Sequence, residues 1–241
     1  MGRLGFYWPE DEKSKKKLSE EIKFLSTFPG LKIDGIFTHL AKATDENFTN
    51  NQIANFKEAI DYLKNLGLKF NIIHAAASTA TLNYPSAHFD MCRFGLVMYG
   101  YESTENGNEN GKLNLTPILK VKSKISAIRN LPKNSNIGYD CTYILKKDSK
   151  IAVLPVGDGD GFPRNLSNKA NVKINGKLCP IVGRVCMDMI MVDVSEVEEV
   201  NEGDVAVVYD EDLVVDDVKK SGTIIHEILC AILPRVKRVY V

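Results

Sequence analysis

The chain has no cysteine pair at C-x-x-C spacing, a single tryptophan, four histidines and no net charge. Its cysteines (Cys92, Cys141, Cys179, Cys186 and Cys230) are odd in number and far apart. That argues against a disulfide frame or a structural zinc site and for reduced thiols in a cytoplasmic protein. Lys+Arg and Asp+Glu are 31 each, so no bulk field favours nucleic acid or an anionic membrane. The longest apolar runs, such as Ile151 to Val156, are strand-sized and far below membrane-spanning length. No basic stretch followed by an apolar segment opens the chain, so no secretory signal is read. What is present, 44% hydrophobic and 26% charged over 241 residues, is globular and long enough for one large domain or two.

The rhythm of the sequence changes near residue 110. Before it, helical and strand patterns alternate. Glu10 to Thr27 predicts a lysine-rich amphipathic helix with Leu18, Ile22, Phe24 and Leu25 on its apolar side and Lys13 to Lys17 on a solvated face. Leu31 to Thr38 predicts a strand, Asn50 to Leu66 a helix with Ile53, Phe56, Ile60 and Leu63 at helical spacing, and Leu68 to His74 another strand. A short helix over Ser78 to Asn83 and a strand over Met91 to Tyr99 follow. Such a run of βα units implies a parallel sheet covered by helices. Glu102 to Lys112 is polar and glycine-containing, and is expected to be a mobile loop. Beyond it the pattern turns to β, with strands predicted at Ile118–Ile128, Ile151–Val156, Ala170–Ile174, Lys177–Val185, Ile190–Val194 and Val205–Val208. Asn175-Gly176 is a hairpin signal. Helices near Val214–Lys220 and Ile224–Ile232 precede a predicted closing strand at Lys237–Val241. The division expected is 1–110 and 111–241.

In parallel βα architectures chemistry collects at the carboxyl ends of strands. Thr38-His39 ends one predicted strand and His74 ends the next. Either histidine could be catalytic or simply hydrogen-bonded. Ser78 stands where a helix begins: it either caps that helix or lends its hydroxyl, beside free backbone N–H groups, to a phosphate. Arg93, between Cys92 and Phe94, calls for a partner or ligand because arginine is rarely buried unpaired. Tyr139, in Gly138-Tyr139-Asp140, is either an ordinary loop tyrosine or a proton shuttle helped by nearby cations. Gly157 to Arg164 is glycine-dense but does not fit a nucleotide phosphate loop, and reads as a tight turn system. Val182 to Met189 has no second cysteine or histidine at ligand spacing, which argues against a metal there.

Together these stretches resemble alanine racemases, pyridoxal-phosphate enzymes built of a TIM barrel followed by a β domain. The matching runs are M-G-R-L-G at 1–5, G-I-F-T-H-L-A at 35–41, H-A-A-A-S at 74–78, R-F-G-L-V-M-Y-G at 93–100, I-G-Y-D at 137–140, P-V-G-D-G-D-G-F-P-R at 155–164, I-V-G-R-V-C-M-D at 181–188 and the closing C-A-I-L-P-R-V-K-R. They occur in the family's order and span essentially the whole chain. The resemblance implies an α/β partial TIM barrel, the last three βα units, over 1–110, and the mainly β C-terminal domain over 111–241.

It also implies roles. Ser78 would hold the cofactor phosphate with backbone around Gly95 and Leu96. His39 would lie against one face of the pyridine ring, and Arg3 would contact its phenolic side. Arg93 would donate to the pyridine nitrogen; a guanidinium stays protonated and cannot hand the ring a proton, so the ring is a weaker electron sink and transamination is disfavoured. Tyr139 would be one acid/base group, acting in the partner's site of a head-to-tail homodimer, with Met187 lining the carboxylate pocket by its backbone. The other acid/base in this family is a lysine that also joins the cofactor in a Schiff base, near the N-terminus. No stretch here matches its motif, so the start at Met1 is expected to be internal to the family sequence, and the chain to need an N-terminal companion. Ala77, Asp158 and Pro234 stand where the family often carries asparagine, tyrosine and tyrosine. The expected activity is interconversion of L- and D-alanine for peptidoglycan of the cell wall. The alternatives are a non-catalytic remnant that binds the cofactor or a partner, and a racemase for serine or lysine.

Overall fold

A computed structural model describes residues 1–102 and 113–241. It divides into two compact units, Met1–Thr116 and Pro117–Val241. Of the expected loop at 102–112 only Glu102 is among the described residues, and the expected boundary at 110 lies outside them.

The first unit opens with α1 (Glu12–Leu25), capped by Asp11, whose carboxylate accepts from the Ser14 N–H. The lysine run is not uniformly solvated. Lys15 is buried, its Nζ 2.6 Å from Glu58 and 3.3 Å from Glu12, and Glu58 also accepts from the Trp8 indole. A sequence pattern cannot show that a carboxylate on another helix waits for one lysine of a run. Phe24, expected on the apolar side, is exposed and packs edge-on against Phe28.

Three short strands follow: β1 (Gly35–Phe37), β2 (Ile72–Ala77) and β3 (Met91–Arg93), paired in that order and parallel. Between β1 and β2 runs α2 (Glu46–Asn65), which buries Ile53, Phe56, Ile60 and Leu63 as its spacing predicts. With Leu40, Ile73, Ala75 and Ala80 they form the core of this unit. The strand expected over Met91–Tyr99 stops at Arg93, and Leu96–Tyr99 winds into a 3₁₀ turn closed by left-handed Gly100. The short helix α3 spans Ser78–Asn83, as expected.

The second unit is mainly β. Its strands are β4 (Val121–Lys124), β5 (Ala127–Leu131), β6 (Asn136–Ile137), β7 (Tyr143–Ile144), β8 (Ser149–Leu154), β9 (Asn171–Ile174), β10 (Lys177–Pro180), β11 (Ile190–Asp193) and β12 (Val205–Tyr209). They build a four-stranded sheet in the order β10-β9-β12-β4, a three-stranded sheet β11-β8-β5 and the ribbon β6-β7. Asn175 and Gly176, both left-handed, turn the β9–β10 hairpin, the conformation a two-residue primed turn demands. Alternating β-branched residues put Val172, Ile174, Ile190 and Val192 fully inside. Helices α4 (Glu211–Ser221) and α5 (Ile225–Ala231) follow.

Three expectations fail here. The strand over Ile118–Ile128 is two, broken where Ile125 bonds to Asp204 and Ser126 to Val153. The Lys177–Val185 strand ends at Pro180, since proline supplies no ladder N–H. Lys237–Val241 is not a strand; Arg238 instead turns back to the carbonyls of Ile232, Leu233 and Val236. No helix among the described residues is long and apolar enough to cross a membrane.

Candidate cofactor site at the strand ends

At the carboxyl ends of β1, β2 and β3 the first unit gathers His39, Ser78, Arg93, Gly95 and Leu96, with His74 beside them in the middle of β2, since that strand continues past its expected end to Ala77. Arg93, at the end of β3, is the hub. One Nη meets Nδ1 of His74; the other lies 3.2 Å from Nδ1 of His39, 3.1 Å from the Thr38 carbonyl and 2.9 Å from the Ala75 carbonyl. A guanidinium has five N–H donors and no acceptor. Both imidazoles must therefore present the Nδ1 lone pair and carry their proton on Nε2. Their protonation follows suit. Burial first and the Arg93 charge second hold His74 below the ordinary histidine range. Burial, Arg93 and then Arg3 do the same for His39. A partly buried cation is thus flanked by two neutral rings and two carbonyls.

Among the described residues no carboxylate is a hydrogen-bond partner of Arg93, although a partly buried guanidinium ordinarily gains from one. These contacts use one N–H of the first Nη and both of the second. The Nε–H and the remaining Nη–H are left to donate, which suits an electron-rich acceptor such as an aromatic ring nitrogen.

The arms that carry these residues are fixed locally. Gln52 on α2 accepts from the Ala41 N–H and donates to the His39 carbonyl, both at 2.9 Å, holding the segment after β1. Asp90 accepts from the Ile73 N–H at 2.7 Å, tying the start of β2 to the approach to β3.

Ser78 is not the N-cap of α3, as the sequence suggested. Ala77 holds that position without a side-chain bond. Buried Ser78 instead accepts the Gly95 N–H at 3.0 Å. One bond thereby joins the start of α3 to the start of the Leu96–Tyr99 turn. The first N–H groups of each turn have no intrahelical acceptor, and the Ser78 hydroxyl keeps its own proton to donate. Together they form a donor set for a phosphate group. Hydroxyl, free N–H groups and an uncommitted guanidinium therefore fit a phosphorylated pyridine. Arg3 is exposed, but its charge reaches His39.

Tyr139 and Met187 belong to the second unit, and each is exposed. Tyr139 sits in a strained turn: Gly138, Asp140 and Cys141 all have positive φ, at 72°, 57° and 49°. A Cβ on Gly138 would stand 3.0 Å from both the Arg184 nitrogen and the Met191 methyl, and its φ of 72° and ψ of −175° favour glycine. Asp140 is anchored by Arg184 at 2.7 Å, and Ile137 below it packs with Leu145, Ile151 and Val182. The Met187 carbonyl accepts from the Gly159 N–H at 2.8 Å, and the Cys186 carbonyl from the Asp158 N–H at 3.0 Å. The Gly157-to-Arg164 run is thus a tight turn system, as expected. A Cβ at Gly157 would stand 2.3 Å from the Cys186 carbonyl oxygen. Sequence reasoning gave no role to Gln52, to the Asp140–Arg184 pair or to Phe37, which stacks on His74; the last three lie in matching runs, but their partners are distant in sequence.

Comparisons with known proteins identify the family. The profile of the alanine racemase N-terminal domain matches residues 1–103, and that of the C-terminal domain matches 118–240. A curated alanine racemase from Methanococcus maripaludis is 38% identical over 247 residues, covering 100% of this chain and 64% of its own. Alanine racemase 2 from Caldanaerobacter subterraneus subsp. tengcongensis is 39% identical, covering 100% of this chain and 62% of its own. Among solved structures, alanine racemase from Clostridium difficile 630 superposes with a TM-score of 0.89 at 32% identity, over 100% of this chain and 62% of that one. The Bartonella henselae enzyme, solved with covalently bound pyridoxal phosphate, gives a TM-score of 0.83 at 28% identity, over 100% and 64%. This chain therefore spans less than two thirds of the length of these relatives. With a TIM-barrel-like N-terminal domain followed by a β domain, and both family domains recognised in order, the chain belongs to the alanine racemase family.

Proposed function

We propose that this chain supplies the last three βα units and the β domain of an alanine racemase. It would work with a companion segment carrying the family's lysine, and form a head-to-tail dimer. The observation that carries the reading is the Arg93 cluster: a partly buried guanidinium with neutral partners and two uncommitted N–H groups, beside a Ser78–Gly95 phosphate cradle.

In this reading Ser78 and the backbone at Gly95 and Leu96 hold the phosphate of pyridoxal phosphate. His39 would pack on the pyridine ring, Arg93 would donate to its nitrogen, and Arg3 would lie on its phenolic side. When bound, that cofactor supplies an electron sink that makes the α-hydrogen of an amino acid acidic. Arg93 tempers the sink, because a guanidinium gives a hydrogen bond without yielding its proton. Tyr139 takes or returns the α-proton on one face of the substrate from its phenol oxygen, in the partner's site. The companion's lysine serves the other face. The left-handed turn and the Asp140–Arg184 pair fix the backbone from which the phenol projects. The Met187 backbone borders the substrate carboxylate. Alanine is the substrate by likeness to the named relatives, and its D-form would feed peptidoglycan synthesis in the cytoplasm.

The test is to co-express the chain with a lysine-bearing N-terminal segment of a relative and follow D-alanine formation from L-alanine. Racemisation together with a visible absorbance band from bound cofactor is expected. Cofactor binding without racemisation would favour a non-catalytic remnant. Turnover of serine or lysine in preference to alanine would reassign the substrate.

A further inference from the structure

The uncovered face of the β1–β2–β3 sheet carries a residue that neither the motifs nor the site description assigns. In the register Phe37 stands opposite His74, and His74 opposite Met91, so these side chains share a face. The Phe37 ring stacks on the His74 imidazole at 5.0 Å between centroids with 11° between planes. The Arg93 guanidinium carbon lies 5.6 Å from the Phe37 ring centroid, within cation–π range. Phe37 is itself 64% exposed, so it contributes little to the core of its unit, which lies elsewhere.

From this stack we infer that Phe37 is a positioning residue: it fixes the plane of the His74 ring so that Nδ1 faces Arg93, and thereby sets which Arg93 N–H groups remain free for a ligand. The physical chain is short. An imidazole has a broad torsion about its last bond and can offer either nitrogen to a donor. A flat ring on one face narrows that torsion to two orientations about 180° apart, and the Arg93 donor selects the one that presents Nδ1. The electron-rich Phe37 face also attracts the guanidinium. Leu or Met in this place would fill space but fix neither plane nor charge. The inference rests on the proposed role of Arg93 only for its consequence; the geometry belongs to the chain itself.

The experiment is long-range ¹H–¹⁵N correlation of the histidine rings in the full chain, above the titration range of His74. In the wild type His74 is expected as a single Nε2–H tautomer, and Phe37→Tyr should preserve it. Phe37→Leu and Phe37→Met should move both ring nitrogens toward averaged shifts, as the two tautomers mix. In the companion-reconstituted enzyme the same truncations should weaken cofactor affinity by about tenfold, with Phe37→Tyr near wild type. A pure Nε2–H tautomer retained in folded Phe37→Leu would overturn the inference. So would loss of fold in both truncations while Phe37→Tyr folds, since the ring would then be a structural prop. Because the tautomer is read without turnover, a chain that never racemises alanine can still confirm the Phe37 role. Conversely, racemisation with an unchanged tautomer sinks only this inference.

Discussion

The two units position function differently. In the first, the candidate groups sit at the ends of regular strands and are tied to one another by side-chain bonds centred on Arg93. In the second, Tyr139 and Met187 sit on turns whose backbone is forced by close contacts, above a densely buried β core. Burial differs as sharply. Val172, Ile174, Ile190 and Val192 are fully enclosed, whereas Phe37, Ile72 and Met91 on the strand face of the first unit are 64%, 40% and 41% exposed. Exposed apolar side chains beside the Arg93 guanidinium suit a binding surface. A turn of left-handed residues on a rigid base is a way to hold one side chain out from a domain.

The sharpest break in that comparison is at the presenting side chain. Tyr139→Phe in the reconstituted enzyme should lower kcat by about 10²–10⁴-fold while thermal unfolding stays at the wild-type temperature, since the phenol is exposed. Equal kcat would remove Tyr139 from the chemistry. Packing gives the next effect. Ile190→Ala should cost about 2–5 kcal/mol in denaturant unfolding. Ile72→Ala in the chain alone should cost under about 1 kcal/mol, rising once a companion covers that face. Similar costs in the isolated chain would mean that the two units are packed alike.

A third effect is confined to the β unit. Asp217 on α4 is fully buried, and neither oxygen has a hydrogen-bond partner among the described residues. Burial first, then the Asp216 charge, pushes its carboxyl up to about 7, with Lys220 opposing. Near it the Tyr209 phenol is also buried without a partner, and burial and Asp217 raise its pKa too. The folded value of Asp217 lies above the unfolded one. Its stabilising contribution is therefore complete below about pH 4 and is lost as pH rises to about 7, on the order of a few kcal/mol. Asp217→Asn should flatten that window in unfolding measured from pH 4 to 8; an unchanged slope would show the carboxyl ionised in the fold. The smallest effect is Asp140→Asn, which tolerates the left-handed backbone but removes the charge facing Arg184. It should cost under about 1 kcal/mol, a difference that high salt erases.

Much of this was legible in the chain's own pattern. The core face of α2, the extent of α3 and the Asn175-Gly176 turn follow from periodicity and turn chemistry, which are local. Arg93's need for partners follows from its charge among apolar neighbours. What escaped was set by distant residues. Lys15 is inside because Glu58 meets it, and Ser78 serves the Gly95 N–H rather than its own helix. Phe37 matters because of what stands across the strand. The closing segment has a strand-like composition but runs alongside no partner strand, and β structure is a property of pairs rather than of single segments.

The most direct test of the account is cofactor affinity at the strand ends. The chain reconstituted with its lysine-bearing companion should be titrated with pyridoxal phosphate and followed by absorbance, for wild type, Arg93→Ala and Ser78→Ala. The account predicts saturable binding in the wild type and affinity at least about tenfold weaker in each variant, the loss of roughly one charge-assisted hydrogen bond. Affinity unchanged in both variants would contradict it.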